Sequence, residues 1–384
     1  MLFKHFCPGY SFWRRYGSTG IGIGIAVRSM AERLGFSMAK SAESIKQEKL
    51  EQLAKSLTDK TDDSSRPNSL ASAIAMRDIG NLRLNSKMLA AYVAEMTLGK
   101  SWATSPQVES PTRIGAAGRV CKQKDFSQPW FHYWIGQLGL APTLHRKLWE
   151  DAYVIQCLWE RGCLEPGKRG LGFAVGAEAL PSLITKFGAE VTATDLSHDD
   201  ERSQGWSLTQ QHASDLEGLW KPHLVDRETF FQRCHFEPVD MCLIPGKFEG
   251  KYDFCWSVCA FEHLGALDKG LEFVVNAMRT LKPGGIAVHT TEYNVSDGPT
   301  IDNWGTVLYQ RAHFAKLDEM LRAQNCRLME IDFDPGSELF DSYVDVPPFP
   351  HDSEMGLTTP TAPHIKLSVD GFAATSIAIV AEKL

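Results

Sequence analysis

The spacing of apolar positions changes character three times along the chain. Over residues 41–57, SAESIKQEKLEQLAKSL consists of helix formers, with Ile45, Leu50, Leu53 and Leu57 near helical spacing, and predicts a helix. The polar run TDKTDDSSRPNS at 58–69 ends that pattern and reads as a linker. LASAIAMRDIGNLRLNSKMLAAYVAEMTL, from Leu70, predicts one or two further helices. Residues 125–165 interleave aromatics with helix-forming segments. There Trp149, Tyr153, Cys157 and Leu158 fall about four apart, so they predict the buried stripe of a helix lying on the next domain. His145 and Arg146 stand just before it at a helix start, where capping or surface pairing is the default and substrate binding the alternative.

After Gly167 the rhythm becomes strand, helix, strand, helix, which argues for a parallel sheet covered on both faces. The predicted strands are GLGFAV, EVTATD, a less regular CHFEPVDM, YDFCWSVC, IAVHTTEY, RLMEIDF and a terminal FAATSIAIVAEK. Between the first two, Leu180, Leu183, Ile184 and Phe187 share one helix face, and Gly188 supplies a C-terminal cap. A helix from about Leu267 to Leu281 is predicted to stop at KPGG, and AHFAKLDEMLRAQ forms another. The interval 334–370 is long, contains YVDVPPFPHDSE, and reads as a lid, a binding loop or a surface excursion held by its prolines. The organisation expected is an N-terminal extension at 1–69, a helical accessory region at 70–165 and an α/β domain at 166–384.

The 384 residues, 43% apolar and 23% charged, suffice for one large core or a core domain with an accessory region. A net charge of −7 without blocks of lysine or arginine disfavours a nucleic-acid partner. Nine scattered cysteines with no C-x-x-C suggest neither disulfide framework nor zinc site, so they read as reduced thiols of a cytoplasmic protein. The run IGIGIAV at 21–27 is too short for stable membrane insertion; with Arg14, Arg15 and Arg28 it fits a targeting segment or an ordinary N-terminus.

In an open parallel sheet, ligands bind beyond the carboxyl ends of the strands. Gly176 lets backbone approach a ligand after the first strand, and Asp195, nineteen positions later, can accept from both hydroxyls of a ribose. A dinucleotide would need G-x-G-x-x-G at that turn, yet Glu178 stands where phosphate would lie and would repel it. That carboxylate can instead accept from the ammonium of an amino-acid-bearing nucleoside, or act on the helix dipole.

With these features in order, followed by VDM, YDFCWSVCAFEHLG and LKPGG, the region from about 145 to 384 resembles a class I methyltransferase dependent on S-adenosylmethionine. The segments CKQKDF, HRKLWE, GLGFAVGAEALP, FEHLG, VHTTEYN and PHIKL also resemble a bacterial subgroup met among cell-surface glycan genes. The resemblance implies a Rossmann-like α/β sheet of seven strands, the last antiparallel, with a helical N-terminal extension, and S-adenosyl-L-methionine as cofactor. It implies that Gly172, Phe173, Gly176 and Ala177 line the methionine part, that Asp195 takes the ribose and that Leu196 lies beside the adenine. Asp240 would accept from the adenine amino group, Met241 would pack on the ring, and Ser257 and Val258 would pass under the cofactor. Ala174 and Glu178 depart from the motif's glycines.

Methyl transfer from a sulfonium needs alignment first, and an oxygen nucleophile needs a base. His263 is the first candidate for that base and His289 the second, with Glu292 nearby; the alternatives are a bracing role for His263 and, for His289, a side chain that points into the core. Thr291 and His289 should share one strand face, Thr290 and Glu292 the other. His263, His289 and Glu292 fit no metal motif, so no metal is expected. No [DNS]-P-P-[YF] element follows the fourth strand, which favours a hydroxyl or carboxyl on a small molecule or glycan as acceptor; Tyr343, Asp345, Phe349 and His351 would cover it. The alternatives are a cofactor-binding interaction module that has lost catalysis and, less favoured, a nicotinamide-dependent oxidoreductase. Oligomeric state is not legible.

Overall fold

A computed structural model describes residues 47, 49–51, 71–98, 108–197, 200, 202, 215–347, 349 and 362–384. Of the helix expected at 41–57, residues 47 and 49–51 are helical; its remainder, the 58–69 linker and the 21–27 run lie outside the described residues. The chain divides into two compact units, one built on residues 90–384 and the other within residues 10–89. The first described helix of length, α1 (Ala71–Leu98), is one continuous element. No helix among the described residues is long and apolar enough to cross a membrane.

The larger unit is an α/β fold around a mixed sheet. Its central strands are β2 (Arg169–Gly172), β3 (Glu190–Asp195), β4 (Cys234–Pro238), β5 (Tyr252–Val258), β6 (Leu281–Asn294) and β11 (Phe372–Lys383). They run in the order β4-β3-β2-β5-β6-β11. The first five are mutually parallel, while β11 lies antiparallel to β6 from Ala374↔Asn294 to Glu382↔Ile286. β7 (Cys326–Leu328) pairs with the far end of β11, so the last strand inserts between the fifth and sixth. This Rossmann-like order follows from connectivity. The order reverses between β2 and β5, and in open sheets of this kind such a reversal opens a crevice at the carboxyl ends of the strands.

Several elements differ from their sequence prediction for visible reasons. β2 ends at Gly172, because Ala174 and Gly176 adopt left-handed conformations (φ 48° and 51°) that leave the sheet. RLMEIDF splits in two: β7 pairs with β11, whereas β8 (Ile331–Asp332) pairs with β1 (Gly118–Val120), itself antiparallel to β11. The helix Leu267–Met278 ends before KPGG, which opens β6 instead. Gly284 there has φ 75°, and a register shift between Tyr252 and Phe254 absorbs the irregularity. The 334–370 interval carries β9 (Val344–Asp345) and β10 (Lys366–Val369); residues 348 and 350–361, including His351, lie outside the described residues.

The aromatic segment is core. α2 (Pro129–Gln137) packs on α3 (Arg146–Glu160), where Trp134 Nε1 donates to Gln156 Oε1 at 2.6 Å and Trp149 Nε1 to Asp125 Oδ2 at 2.8 Å. Sequence predicted a stripe on α3, but every residue from Arg146 to Leu158 is buried. β1 and α3, from the 70–165 segment, are thus built into the sheet and its covering layer. α4 (Leu180–Phe187) ends as expected at Gly188, whose φ of 116° needs glycine.

Candidate functional site

The turn after β2 is shaped by close approach. A Cβ on Gly172 would fall 2.5 Å from the Trp256 ring and 2.6 Å from Val175 Cγ1, so no larger residue fits. Phe173 is buried, donates its amide to Trp256 O at 2.9 Å and meets Phe273 edge-on. Gly176 and Ala177 then lie half-buried at the crest. The Gly176 amide donates to Asp195 Oδ2 at 3.0 Å, and the half-buried Leu196 donates its amide to Asp195 Oδ1 at 2.8 Å. Sequence placed Gly176 and Asp195 together, and the structure brings them into direct contact.

Glu178 turns inward. It is buried, and its Oε1 accepts from Trp256 Nε1 at 2.7 Å. Burial, then the neighbouring Asp151, hold its pKa well above the carboxylate range. Asp151 on α3 is also buried; desolvation and then Glu150 raise its pKa to about 8, with Lys147 opposing. Two carboxyls thus lie beneath the turn in their neutral forms at neutral pH.

At the adjacent edge, Asp240 is half-buried, with Oδ1 accepting from the Cys242 amide at 2.8 Å and Oδ2 from Arg202 Nη2 at 2.8 Å. Met241 beside it is buried. Ser257 is buried, Val258 half-buried, and the backbone then turns through Cys259 at φ 44°.

The three histidine and acid candidates occupy different environments. His263 sits on a 3-10 turn over Phe261–His263, its Nδ1 2.9 Å from Gly305 O and 3.2 Å from Thr306 Oγ1. His289 is fully buried, 2.8 Å from Ser257 Oγ and edge-on to Phe261 and Phe273. Burial lowers its pKa to about 3, so it stays neutral in the core, level with Ser257 near the carboxyl end of β5. Glu292 is buried on the opposite face, as strand alternation requires, and meets Arg146 Nη2 at 2.5 Å.

Arg146 is not a surface residue. Its Nη1 also donates to Glu150 Oε1 at 3.2 Å and Ser376 Oγ at 2.9 Å, so α3, β6 and β11 are joined by one buried ionic group. Cys259, Glu262 and Glu292 have potential ligand atoms within 4.8 Å of one another, yet the Arg146 guanidinium already supplies positive charge there. His145 caps α3, its Nδ1 accepting from the Lys147 amide at 3.2 Å. Beside it Asp345 Oδ2 lies 2.8 Å from His364 Nδ1, His364 meets the His145 ring at 4.6 Å, and Phe349 covers the pair. Tyr343 donates to Asp345 at 3.4 Å, so three of the four loop residues singled out from sequence converge.

Sequence reasoning missed Arg146, Glu150 and Asp151 as buried groups, because their charge read as solvent-facing. The helix RKLWEDAYVIQCLWE carries enough charge to suggest a solvent face, so no local signal marked these groups as buried. His364 was missed because its partner Asp345 lies nineteen residues away.

No protein-family model matches the chain, and no curated protein matches it. Among solved structures, a protein assigned as a sarcosine dimethylglycine methyltransferase from Galdieria sulphuraria is 15% identical, the alignment covering 67% of this chain and 98% of that one at a TM-score of 0.38. The [4+2]-cyclase SpnF is 17% identical, with 63% and 74% covered and a TM-score of 0.35. Burkholderia thailandensis 1,6-didemethyltoxoflavin-N1-methyltransferase, with bound 1,6-didemethyltoxoflavin and S-adenosylhomocysteine, is 14% identical, with 62% and 78% covered and a TM-score of 0.35. No activity, cofactor or acceptor follows from likenesses at this level.

Proposed function

We propose that the chain is an enzyme that transfers the methyl group of S-adenosyl-L-methionine to an oxygen of a small-molecule or glycan acceptor. One observation carries this reading: the Asp195 carboxylate, fixed by the Gly176 and Leu196 amides, stands at the carboxyl ends of β2 and β3. There the order β4-β3-β2-β5-β6-β11 opens its crevice. An acid so placed suits the two hydroxyls of a ribose.

The turn fits a sulfonium nucleoside better than a dinucleotide. Glu178 is turned inward beneath it onto Trp256 and so does not itself meet a ligand, but the turn AVGAEA lacks the G-x-G-x-x-G glycines that bring backbone amides up to a pyrophosphate. A nicotinamide cofactor is disfavoured on that ground. In this reading Gly172, Phe173, Gly176 and Ala177 line the amino-acid part, and Leu196, Asp240 and Met241 flank the base. Ser257 and Val258 form the floor.

The cofactor supplies an already activated methyl group. The chain's residues then have to align the acceptor and take its proton. His263 suits the second task, since contacts to Gly305 O and Thr306 fix its Nδ1 side and leave its orientation set at the end of β5. His289 is enclosed by Phe261 and Phe273, and Glu292 is engaged by Arg146, so both serve the scaffold.

The alternative is a non-catalytic cofactor-binding module, motivated by Ala174 and Glu178 at motif glycine positions. Calorimetry with S-adenosyl-L-methionine tests the common premise: the unaltered chain should bind and Asp195→Ala should not. Equal affinity in both refutes the proposed ribose contact. Turnover of methyl-labelled cofactor in a lysate containing the native acceptor separates enzyme from module.

A further inference from the structure

The hydrogen bonds around His263 fix which of its ring nitrogens can take a proton. The Gly305 carbonyl, 2.9 Å from Nδ1, can only accept, so Nδ1 carries the hydrogen of the neutral ring and the lone pair lies on Nε2. Facing Nε2 is the carboxyl of the preceding residue, with Glu262 Oε1 3.7 Å away. That separation is too long for a hydrogen bond, so Glu262 does not occupy the lone pair, yet it is short enough for strong attraction once the ring is charged.

Glu262 is held in place for this contact. It is fully buried in the 3-10 turn, its Oε2 accepts from Thr291 Oγ1 at 3.0 Å, and its backbone carbonyl accepts from the Val307 amide at 3.0 Å. A buried carboxylate is costly unless a positive charge offsets it, and a residue that only braced the turn would need no charge. Around the pair stand Cys259 on the same turn, Glu292 on β6, Arg146 on α3, and Asp302 and Tyr309 on the loop after β6. Arg146 is engaged by Glu292 and Glu150, Asp302 accepts from the Leu267 and Asn303 amides, and burial raises the Tyr309 phenol so that it stays neutral. Among these groups, the ion pair left to Glu262 is with His263.

Methyl transfer from a sulfonium to a hydroxyl relocates a positive charge. The acceptor's O–H bond breaks as its proton passes to His263 Nε2, the oxygen's electron pair forms the O–CH3 bond, and the pair of the breaking S–CH3 bond stays on sulfur. A sulfonium charge disappears and an imidazolium charge appears. We infer that Glu262 is the positioning residue of this step, acting through His263 by stabilising the imidazolium as it forms. The inference rests on the reading of His263 as the base.

Nitrogen NMR of the full chain with isotope-labelled histidine tests it without any acceptor, the His263 signals being assigned by their loss in His263→Gln. The neutral ring should be the Nδ1–H tautomer. In Glu262→Gln its titration midpoint should move to lower pH by about one unit or more, because the imidazolium loses an opposite charge. In Glu262→Asp, which keeps that charge, the midpoint should stay closer to that of the unaltered chain. Glutamine can still accept from Thr291, so circular dichroism and the other histidine signals should be unchanged. A midpoint that glutamine leaves unmoved or raises overturns the inference, as does an Nε2–H tautomer. Turnover of methyl-labelled S-adenosyl-L-methionine in the acceptor-containing lysate tells the two readings apart. Normal turnover by His263→Gln refutes the base itself, whereas His263-dependent turnover with an unchanged pH profile in Glu262→Gln refutes only the role of Glu262.

Discussion

Replacing Asp151 by Asn should make the protein's stability less dependent on pH. The Asp151 carboxyl is buried on α3, and burial, followed by the charge of Glu150, raises its pKa from 3.8 to about 8. In the unfolded chain it ionises near 3.8. Between those values the folded state holds a proton that the unfolded state has released, so stability falls as pH rises. It is highest below pH 4 as far as this group is concerned, and the loss is complete only above pH 8. From 3.8 to neutral pH spans about 3.2 units at roughly 1.36 kcal/mol each, a loss of about 4 kcal/mol. An asparagine has the shape of the protonated acid and no proton to lose. Urea unfolding of both proteins at intervals from pH 4 to 8 measures the effect. The two should be similarly stable at pH 4 and diverge in favour of Asp151→Asn as pH rises. Parallel profiles would refute the reasoning, because they would mean that Asp151 ionises as readily in the folded protein as in the unfolded one.

Three further substitutions, at two positions, probe the strand ends. Arg146→Met should cost about 3–5 kcal/mol in chemical denaturation, since it removes the cation paired with buried Glu292 and leaves Glu150 with Lys147 at 3.4 Å in place of two cations. Arg146→Lys should recover only part of this, because a single ammonium cannot reach Glu292, Glu150 and Ser376 together. If His263 is the base, His263→Gln should lower kcat about 10²–10⁴-fold while calorimetric affinity for S-adenosyl-L-methionine stays unchanged. Unaltered kcat would leave His263 a bracing residue.

Much of this molecule is legible in one dimension because its strongest signals are local. The alternation of strand and helix after Gly167, the cap at Gly188 and the contact of Gly176 with Asp195 all arise within one β-turn-α-β unit. Strand alternation likewise separated His289 from Glu292 before any contact was known. Burial was not legible. Strand alternation allowed a core-facing His289 without deciding it, and whether Arg146 faced solvent or Glu292 depended on which distant element covered it.

Sequence by itself determined the periodicities, the turn chemistry and the order of elements, since these follow from neighbouring residues and backbone sterics. Tertiary structure alone decided that β11 inserts between β6 and β7, and that α3 is enclosed on every side. It also decided that Asp345 and His364 share a hydrogen bond. Those outcomes turn on pairing between segments far apart in the chain, where the free energy comes from excluding water over whole faces, and no short stretch of residues encodes its distant partner.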